Sequence, residues 1–391
     1  MPFVNRGGVR LYWRADGEAD KPALLLLNSI GCDMGLWDRA VPYLTPHFRV
    51  LRMDTRGHGA SDAPSGDYRL DELADDALAV LDAADVPHAA VCGVSLGGMV
   101  AMTLALRAHE RTDALVLACT SGQLDPAAWQ ARIDTVRGQG LAAIADMAIE
   151  RFFSERFRRH ELGVVATTRA GLLAMSADGY VGCCAAIRDM DLAGRLGAIG
   201  VRTLVVAGER DISTPFEGHG DRIVAGIAGG EAASLDAGHL PCLEVPAAFA
   251  GLVVDFLTRD PRKESAKQTL FDAGLAVRRD VLGDAWVDRA LAARTPFNAD
   301  VQAMITRYAW NEVWGRPGLD HRTRRLLVVA MTAALGRWEE FRLHVRSGLE
   351  QGGFTQDELK EVLLQTAIYA GVPAANTGFA EAAAVIESLE R

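Results

Sequence analysis

The sequence has no excess of positive charge and no long hydrophobic run. Its 391 residues carry 41 lysine and arginine side chains against 51 aspartate and glutamate side chains, a formal net charge of −10. This balance argues against general binding to nucleic acid or acidic membranes, so an anionic substrate would need locally placed positive groups. No apolar run approaches membrane-spanning length, and the N-terminal residues lack a charged segment followed by an apolar one. We therefore expect a cytoplasmic protein with neither a nucleic-acid nor a membrane partner.

Cysteine is scarce and confined to one part of the chain. The six cysteines show no CxxC spacing and stand in apolar surroundings, which predicts buried thiols rather than a disulfide framework. None lies beyond residue 242, so thiol redox chemistry is excluded for the last third of the chain. We expect neither a metal nor another cofactor. The cysteines are Cys32, Cys92, Cys119, Cys183, Cys184 and Cys242.

The remaining composition is that of a globular protein, with 49% hydrophobic and 24% charged residues. The length favours two domains. Through residue 257, short apolar runs alternate with helical patterns, which predicts an α/β fold with a mostly parallel sheet covered by helices. The first run follows two glycines and could be an antiparallel edge strand. The predicted strands are Val9–Arg14, Ala23–Leu27, Phe48–Met53, Ala89–Cys92, Ala114–Ala118, Thr203–Ala207 and Glu231–Leu235.

Two segments depart from this alternation. Residues of about 122–195 are helical in pattern, with Asp125 and Pro126 at a helix start, and predict a lid inserted above the sheet. Residues 258–267 are charged, contain proline and lack periodicity, which predicts a linker. From residue 268 to 391 only helical patterns occur, so we predict a smaller all-α domain after the α/β domain of residues 1–257.

A serine lies between glycines at the end of a predicted strand, in Gly93-Val94-Ser95-Leu96-Gly97. The GxSxG pattern between a strand and a helix is typical of a nucleophile elbow, although a glycine-rich turn with an incidental serine has the same letters. Asp211 and His239 each follow a later predicted strand, at the edge where doubly wound sheets place their sites. The order Ser, Asp, His favours catalysis: His239 would deprotonate Ser95, and Asp211 would orient the imidazole.

With these three residues in place, the sequence resembles the α/β-hydrolase family over residues 1–257. The loop Asp54–Ser61 is similar to that family's post-strand loop, and we expect a structural rather than a catalytic role for His58 within it. The resemblance implies an oxyanion hole formed by the backbone N–H groups of Leu96 and Ile30. Many family members have His-Gly where this chain has Asn28-Ser29, but a backbone donor at Ile30 does not depend on those side chains.

A narrower resemblance concerns the stretch Leu27–Asp38, an Asn-Ser-Ile-Gly loop that ends in Trp-Asp. It is similar to the 3-oxoadipate enol-lactonases, as are Trp129 and Arg132 in the predicted lid. The resemblance implies that Arg132 could pair with a substrate carboxylate. The alternative is a lid arginine that lies in water.

Residues 268–391 resemble the carboxymuconolactone decarboxylases in Val281–Asp284, Ile305–Leu319, Glu339–His344 and Ala367–Pro373. Glu340 and His344 share a helix face, and His344 could donate a proton near neutrality. Glu312 and Arg316 form a second i, i+4 pair, although such pairs are usually weak surface salt bridges. Trp310 and Trp314 suit a core better than a substrate stack. Candidate carboxylate anchors are Arg307, Arg316, Arg322 and Arg324.

The two resemblances together imply a bifunctional enzyme of the protocatechuate branch of the β-ketoadipate pathway. The C-terminal domain would decarboxylate 4-carboxymuconolactone, and the N-terminal domain would hydrolyse the resulting enol-lactone to 3-oxoadipate. The expected partners are small lactones, and further copies of the chain assembled through the helical domain. The alternatives are another serine hydrolase, such as an esterase or perhydrolase, with an oligomerising domain, and a ligand-sensing module. Ser95 argues against a haloalkane dehalogenase, whose nucleophile is aspartate.

Overall fold

The computed structural model describes residues 3–351 and 353–391, which form two compact units. The N-terminal unit ends at Arg259, and the C-terminal unit begins at Asp260. The segment predicted as a linker is largely helical: α11 ends at Thr258 and α12 begins at Pro261. Asp260 accepts hydrogen bonds from the first N–H groups of α12, and proline suits the first helical position. Asp125-Pro126, at the helix start that the sequence analysis predicts, has the same two residues in the same positions.

The N-terminal unit is built on an eight-stranded sheet in the order β1-β2-β4-β3-β5-β6-β7-β8. The six strands from β3 onward pair in parallel, as expected, and β2 pairs antiparallel with β4. The strands are β1 (Phe3–Arg6), β2 (Val9–Asp16), β3 (Ala23–Leu27), β4 (Arg49–Met53), β5 (Ala89–Val94), β6 (Thr112–Ala118), β7 (Arg202–Gly208) and β8 (Glu231–Leu235).

The edge of this sheet differs from the prediction. The strand expected at the edge, β2, is covered by an additional antiparallel strand, β1. Gly7 and Gly8 join the two strands with φ values of 59° and 88°. Because two consecutive positive φ angles give the tight turn whose twist matches a hairpin, these glycines specify a hairpin rather than the start of an edge strand.

Helices cover the sheet, and five of them form the predicted lid between β6 and β7. The strand β3 is apolar along its whole length and almost completely buried, as a parallel strand between two helical layers must be. The helices are α1 (Val41–Leu44), α2 (Leu70–Ala83), α3 (Leu96–Arg107), the lid helices α4 (Pro126–Gln139), α5 (Ala142–Phe152), α6 (Glu155–His160), α7 (Leu162–Ala174) and α8 (Ala177–Arg188), then α9 (Asp221–Gly226), α10 (Pro241–Glu244) and α11 (Pro246–Thr258). Short 3₁₀ helices lie at Met34–Trp37, His109–Arg111 and Ala193–Ala198.

The C-terminal unit consists of helices alone over its described residues. A π-helix, Thr306–Trp314, interrupts the α-helical pattern directly before the short turn that precedes α15. Two small apolar clusters form its interior, one around Phe341 and Leu363 and the other around Trp310 and Trp314. The α-helices are α12 (Pro261–Leu282), α13 (Asp284–Ala292), α14 (Ala299–Ile305), α15 (His321–Ala334), α16 (Trp338–Glu350), α17 (Gln356–Tyr369) and α18 (Val372–Glu390).

Within the described residues, no single helix has the length and apolar character needed to cross a membrane, and only the bent pair α7 and α8 meets that requirement jointly. The six cysteines are all buried free thiols.

Candidate active sites

Ser95 lies in a strained turn between β5 and α3. Its φ is +56°, a value that residues with a side chain rarely adopt. A Cβ atom on Gly93 would lie 2.2 Å from the Gly97 carbonyl carbon, and one on Gly97 would lie 2.1 Å from the Leu27 carbonyl oxygen. Both flanking positions therefore require glycine because backbone approaches backbone. This geometry identifies the GxSxG motif as a nucleophile elbow.

Asp211 follows β7 and His239 follows β8. Their side chains meet at the end of the sheet where Ser95 follows β5. The Nδ1 of His239 lies 2.9 Å from the Oδ2 of Asp211. The other carboxylate oxygen accepts the backbone N–H of Ser213 at 2.7 Å, and the Thr214 hydroxyl donates to Oδ2 at 2.9 Å. Burial opposes the charged carboxylate, but His239 and these donors outweigh it and lower the pKa of Asp211 to about 2. Asp211 is therefore an anion in the folded protein near pH 7.

The His239 ring is fixed on a second side by an aromatic ring. Phe152, the last residue of α5, stacks on it with centroids 6.4 Å apart and planes 7° apart. Because Nδ1 faces Asp211, Nε2 is the nitrogen left for Ser95. Ser95 and His239 line one cavity of about 550 Å³ beneath the lid. The arrangement can deprotonate the serine and stabilise the resulting imidazolium.

Of the two backbone donors expected for the oxyanion, one belongs to the residue after Ser95 and the other to the wall of the same cavity. Leu96 is the first residue of α3, where an N–H has no acceptor inside the helix, and Ile30 lines the cavity wall. His58 positions the Ile30 loop, since its Nε2 accepts the Gly31 N–H at 3.0 Å. Burial lowers the pKa of His58 to about 4, so the ring stays neutral and keeps that acceptor. His58 therefore supports the oxyanion loop rather than taking part in proton transfer.

The Asn28 side chain holds this loop in place. Its amide donates to the Met53 carbonyl at 2.8 Å, and its oxygen accepts the Trp37 indole N–H at 2.8 Å. Trp37 is fully buried. Asn28 thereby joins β3, β4 and the Trp-Asp end of the loop, which explains why these residues occur together in the sequence.

Trp129 and Arg132 lie in α4 and both line the cavity. The Arg132 guanidinium carbon lies 4.6 Å from the centre of the Trp129 ring, a cation–π contact. A terminal nitrogen of Arg132 also contacts the Met147 sulfur at 3.5 Å. Arg132 is thus half-buried and held in the lid wall instead of lying free in water.

Sequence reasoning missed three basic residues of the same cavity: Arg151 at the end of α5, His219, and Arg222 in α9. His219 bonds through Nδ1 to the Ser121 hydroxyl at 2.9 Å, and burial lowers its pKa. Their signal in the sequence was weak, because each lies in a segment with no recognisable motif. Only Arg151 stood within the predicted lid.

One group of potential metal ligands occurs among the described residues: Cys119, Asp211 and His239. Two of its members already bond to each other, and burial raises the pKa of the Cys119 thiol well above its usual value. A thiol held in its protonated form is a poor ligand, so this group has the chemistry of a triad with a neighbouring thiol rather than that of a metal centre.

In the C-terminal unit, His344 is buried in α16 and stacks on Trp314, with ring centroids 5.7 Å apart and planes 4° apart. Its Nδ1 has no hydrogen-bond partner in the described chain. Burial and the nearby Arg325 lower the pKa of His344 to about 4, against the opposing influence of Glu340. The sequence predicted a histidine that gains and loses a proton near pH 7, whereas burial in the folded unit keeps the ring uncharged at that pH. Glu340 is exposed one turn earlier on the same helix.

Two buried arginines in this unit were not among the predicted anchors. Arg325 donates to the carbonyls of Ser347 at 2.8 Å and Val281 at 2.7 Å. Arg278 faces the rings of Trp286 and Trp310 at 5.2 and 6.0 Å. Neither has a carboxylate within ion-pair distance among the described residues, and each keeps a buried Nε atom without a partner. Both are therefore positive groups in the interior that form no ion pair with a carboxylate of the described residues.

The pair predicted at Glu312 and Arg316 does not form. Residues 306–314 adopt a π-helix and Arg316 lies beyond its end, so the four-residue spacing no longer brings the two side chains together. Arg322 instead pairs with Glu358, and Arg324 bonds to the carbonyls of Leu319 and Arg316.

Arg307 is partly exposed, with no ion pair in the part of the unit that the structure describes. Trp310 and Trp314 stack on each other at 5.3 Å in the core, as the sequence indicated.

Comparisons with known proteins agree with this division of the chain. Residues 22–246 match the alpha/beta hydrolase fold family, and residues 299–384 match the carboxymuconolactone decarboxylase family. The chain is 37% identical to 3-oxoadipate enol-lactonase 2 of Acinetobacter baylyi over 62% of this chain and 90% of that protein. It is 45% identical to the 4-carboxymuconolactone decarboxylase of the same species over 30% of this chain and 88% of that protein.

Among solved structures, the enol-lactonase from Burkholderia xenovorans LB400 superposes with a TM-score of 0.64 at 36% identity. The match covers 66% of this chain and the whole of that one, at 100%. A thermophilic esterase from Thermogutta terrifontis, solved with malate bound, has a TM-score of 0.62 at 25% identity over 66% of this chain and 97% of that one.

Proposed function

Because the chain belongs to the alpha/beta hydrolase fold family and, through its C-terminal unit, to the carboxymuconolactone decarboxylase family, we propose that it catalyses two consecutive reactions. The C-terminal unit converts 4-carboxymuconolactone to 3-oxoadipate enol-lactone, and the N-terminal unit hydrolyses this lactone to 3-oxoadipate. The observation that carries the proposal is one cavity that combines Ser95 and His239 with three arginines, in a chain of net charge −10.

In the hydrolytic step, Ser95 attacks the lactone carbonyl while His239 takes its proton. The N–H groups of Leu96 and Ile30 stabilise the oxyanion. When the ring carbon–oxygen bond breaks, the leaving group is an enolate, which receives a proton and becomes a ketone. Water then attacks the acyl-serine with His239 as the base, and the product is a dicarboxylate. The arginines of the cavity suit a lactone that carries a carboxylate, which favours this substrate over a neutral ester.

In the decarboxylation step, the carboxylate next to the unsaturated lactone leaves as CO₂. The electron pair spreads into the lactone as a dienolate, and a carbon atom then takes up a proton. His344 is the group we assign to this transfer, with Glu340 beside it. The ring is neutral in the free unit, and a bound carboxylate would oppose Arg325 and raise the pKa of His344. The substrate would thereby help to charge its own proton donor.

The test uses NMR to follow 4-carboxymuconolactone incubated with the wild-type chain and with Ser95→Ala. We expect the wild type to form 3-oxoadipate and the variant to release CO₂ and accumulate the enol-lactone. If neither protein consumes the lactone while the wild type hydrolyses simple aryl esters, the chain is a different serine hydrolase with a structural helical domain. If neither substrate is turned over, the ligand-sensing alternative gains support.

We also propose that the C-terminal unit assembles with further copies of this chain. The face formed by α15 and α17 exposes large apolar side chains, with Met331 54%, Ile368 78% and Tyr369 82% exposed. An apolar groove of about 430 Å³ runs between these helices. Contiguous apolar surface of this kind marks contact sites. Light scattering should find an oligomer that Met331→Lys and Ile368→Lys dissociate; a wild-type monomer at micromolar concentration would refute the assembly.

For the location in the cell, we propose the cytoplasm. The support is chemical: six buried free thiols suit a reducing compartment.

A further inference from the structure

The arginines of the N-terminal cavity come from three helices. Arg132 belongs to the lid helix α4, where Trp129 and Met147 hold its guanidinium. Arg151 is the penultimate residue of α5, next to Phe152, which stacks on His239. Its carbonyl accepts the Ser213 hydroxyl at 3.4 Å, and the Ser213 N–H binds Asp211. Arg151 is thereby attached to the wall that carries the acid and the base.

Arg222 lies in α9, directly after the segment that carries His219, and lines the same cavity. Neither Arg151 nor Arg222 forms an ion pair with a carboxylate of the described chain, whereas most arginines of this unit do. The carboxylate of Asp125, which also lines the cavity, is engaged as the N-cap of α4 through the Ala127 N–H at 3.0 Å. His219 is held neutral at physiological pH by its lowered pKa. The Asp221 carboxylate, next to Arg222 in the chain, accepts the backbone N–H of Arg222 at 2.7 Å and is not among the residues that line the cavity. The positive charge that these residues bring to the cavity lining is therefore that of the two arginines.

We propose that Arg151 and Arg222 form a second carboxylate site in this cavity, separate from Arg132, so that the cavity holds a six-carbon dicarboxylate through both of its ends. The identity of that dicarboxylate rests on the proposed function: hydrolysis adds a second carboxylate to the lactone's own, and the product carries one at each end. The product then binds more tightly than a monoanion of the same length and inhibits the enzyme by competing with the lactone.

The test measures binding to the full-length Ser95→Ala chain by calorimetry with two inert probes, adipate and hexanoate. These have the same length and differ in one carboxylate. Adipate is expected to bind about tenfold more tightly, the size of one charge-assisted hydrogen bond. Arg151→Gln and Arg222→Gln, each added to Ser95→Ala, should abolish this preference and change hexanoate affinity less than about twofold. Arg195→Gln, which removes an exposed unpaired arginine outside the cavity, is the matched control and should leave the preference intact.

Equal affinity for the two probes would overturn the proposal, and so would a loss of preference in the Arg195 control, because net charge would then explain the result. The wild-type chain supplies the separation from the proposed function. If it hydrolyses the enol-lactone while adipate and hexanoate bind equally, only the second carboxylate site is wrong. If it does not hydrolyse the lactone, the substrate assignment fails whatever the probes do.

Discussion

His239 and His344 occupy similar surroundings in the two units and differ in one partner. Each ring is buried and stacks nearly parallel on an aromatic side chain, Phe152 or Trp314. The Nδ1 of His239 binds the Asp211 carboxylate, whereas the Nδ1 of His344 has no partner in the described chain and Arg325 lies near. One ring has a carboxylate that can stabilise its imidazolium, and the other is held neutral.

The difference follows from the chemistry proposed for each unit. Hydrolysis by Ser95 requires His239 to gain and lose a proton twice, once when the acyl-serine forms and once when water hydrolyses it. A permanent anion beside the ring therefore lowers the energy of the imidazolium in both steps. A single protonation after loss of CO₂ requires a charged ring only while an anionic ligand is bound. A ring that has no protein carboxylate beside it stays uncharged until the ligand binds, and the ligand's carboxylate then stabilises the protonated ring.

The largest effect is expected from removing the charge of Asp211. Asp211→Asn should lower lactone hydrolysis by about 10⁴-fold, because the amide favours the wrong imidazole tautomer and cannot stabilise the imidazolium. The decarboxylase activity of the same chain should stay within about twofold of wild type. Steady-state kinetics on each substrate measures both numbers. A parallel loss of both activities would mean that the units do not act independently.

A smaller loss is expected from His344→Gln in the C-terminal unit. Removing a general acid typically costs 10²–10⁴-fold, so we expect decarboxylation to fall by about 10³-fold while hydrolysis is unchanged. His321→Gln is the matched control, because His321 contacts the edge of the same Trp314 ring and bonds to its carbonyl at 3.2 Å. If both variants lose equal activity, His344 acts only through the packing of Trp314.

The neutral rings should make both units sensitive to mild acid. The pKa values of His58 and His344 are lowered to about 4, so the unfolded chain, with a histidine pKa near 6.5, binds the proton more strongly. Stability present above about pH 6.5 is therefore lost as the pH falls towards 4, by about 2 kcal/mol per ring at about pH 5. Urea unfolding at about pH 7 and about pH 5 should show a smaller difference in His58→Gln and in His344→Gln. The exposed His109→Gln should behave as wild type.

The smallest effect concerns the redundancy of donors around Asp211. Thr214→Val removes one hydroxyl donor and leaves the His239 bond and the two backbone N–H bonds in place. We expect roughly a tenfold loss of lactone hydrolysis, the magnitude of one hydrogen bond to a charged group. Rescue of activity by Thr214→Ser would confirm that the hydroxyl matters, whereas no rescue would point to packing of the threonine methyl group.

Local sequence patterns were sufficient for the elbow at Ser95 and for the order of strands and helices. Glycines that backbone contact makes obligatory, and apolar runs between turn residues, are visible within a few positions. The prediction was wrong where the same residues are compatible with two different local structures. Gly7-Gly8 form the turn of a hairpin whose first strand, β1, was not predicted. Residues 261–267 were predicted as a linker because they are charged, although they form the capped start of α12.

The sequence by itself determined the two domains, the Ser95–Asp211–His239 order and His344 as a candidate proton donor, because strand ends and motif spacing are encoded locally. Only the tertiary structure decided which arginines line the Ser95 cavity and which are buried without an ion pair. Arg151 and Arg222 reach the Ser95 cavity from separate helices, while Arg278 and Arg325 are enclosed in the helical unit. The neutrality of His344 was likewise decided by folding, since desolvation and neighbouring charge come from residues distant in the chain.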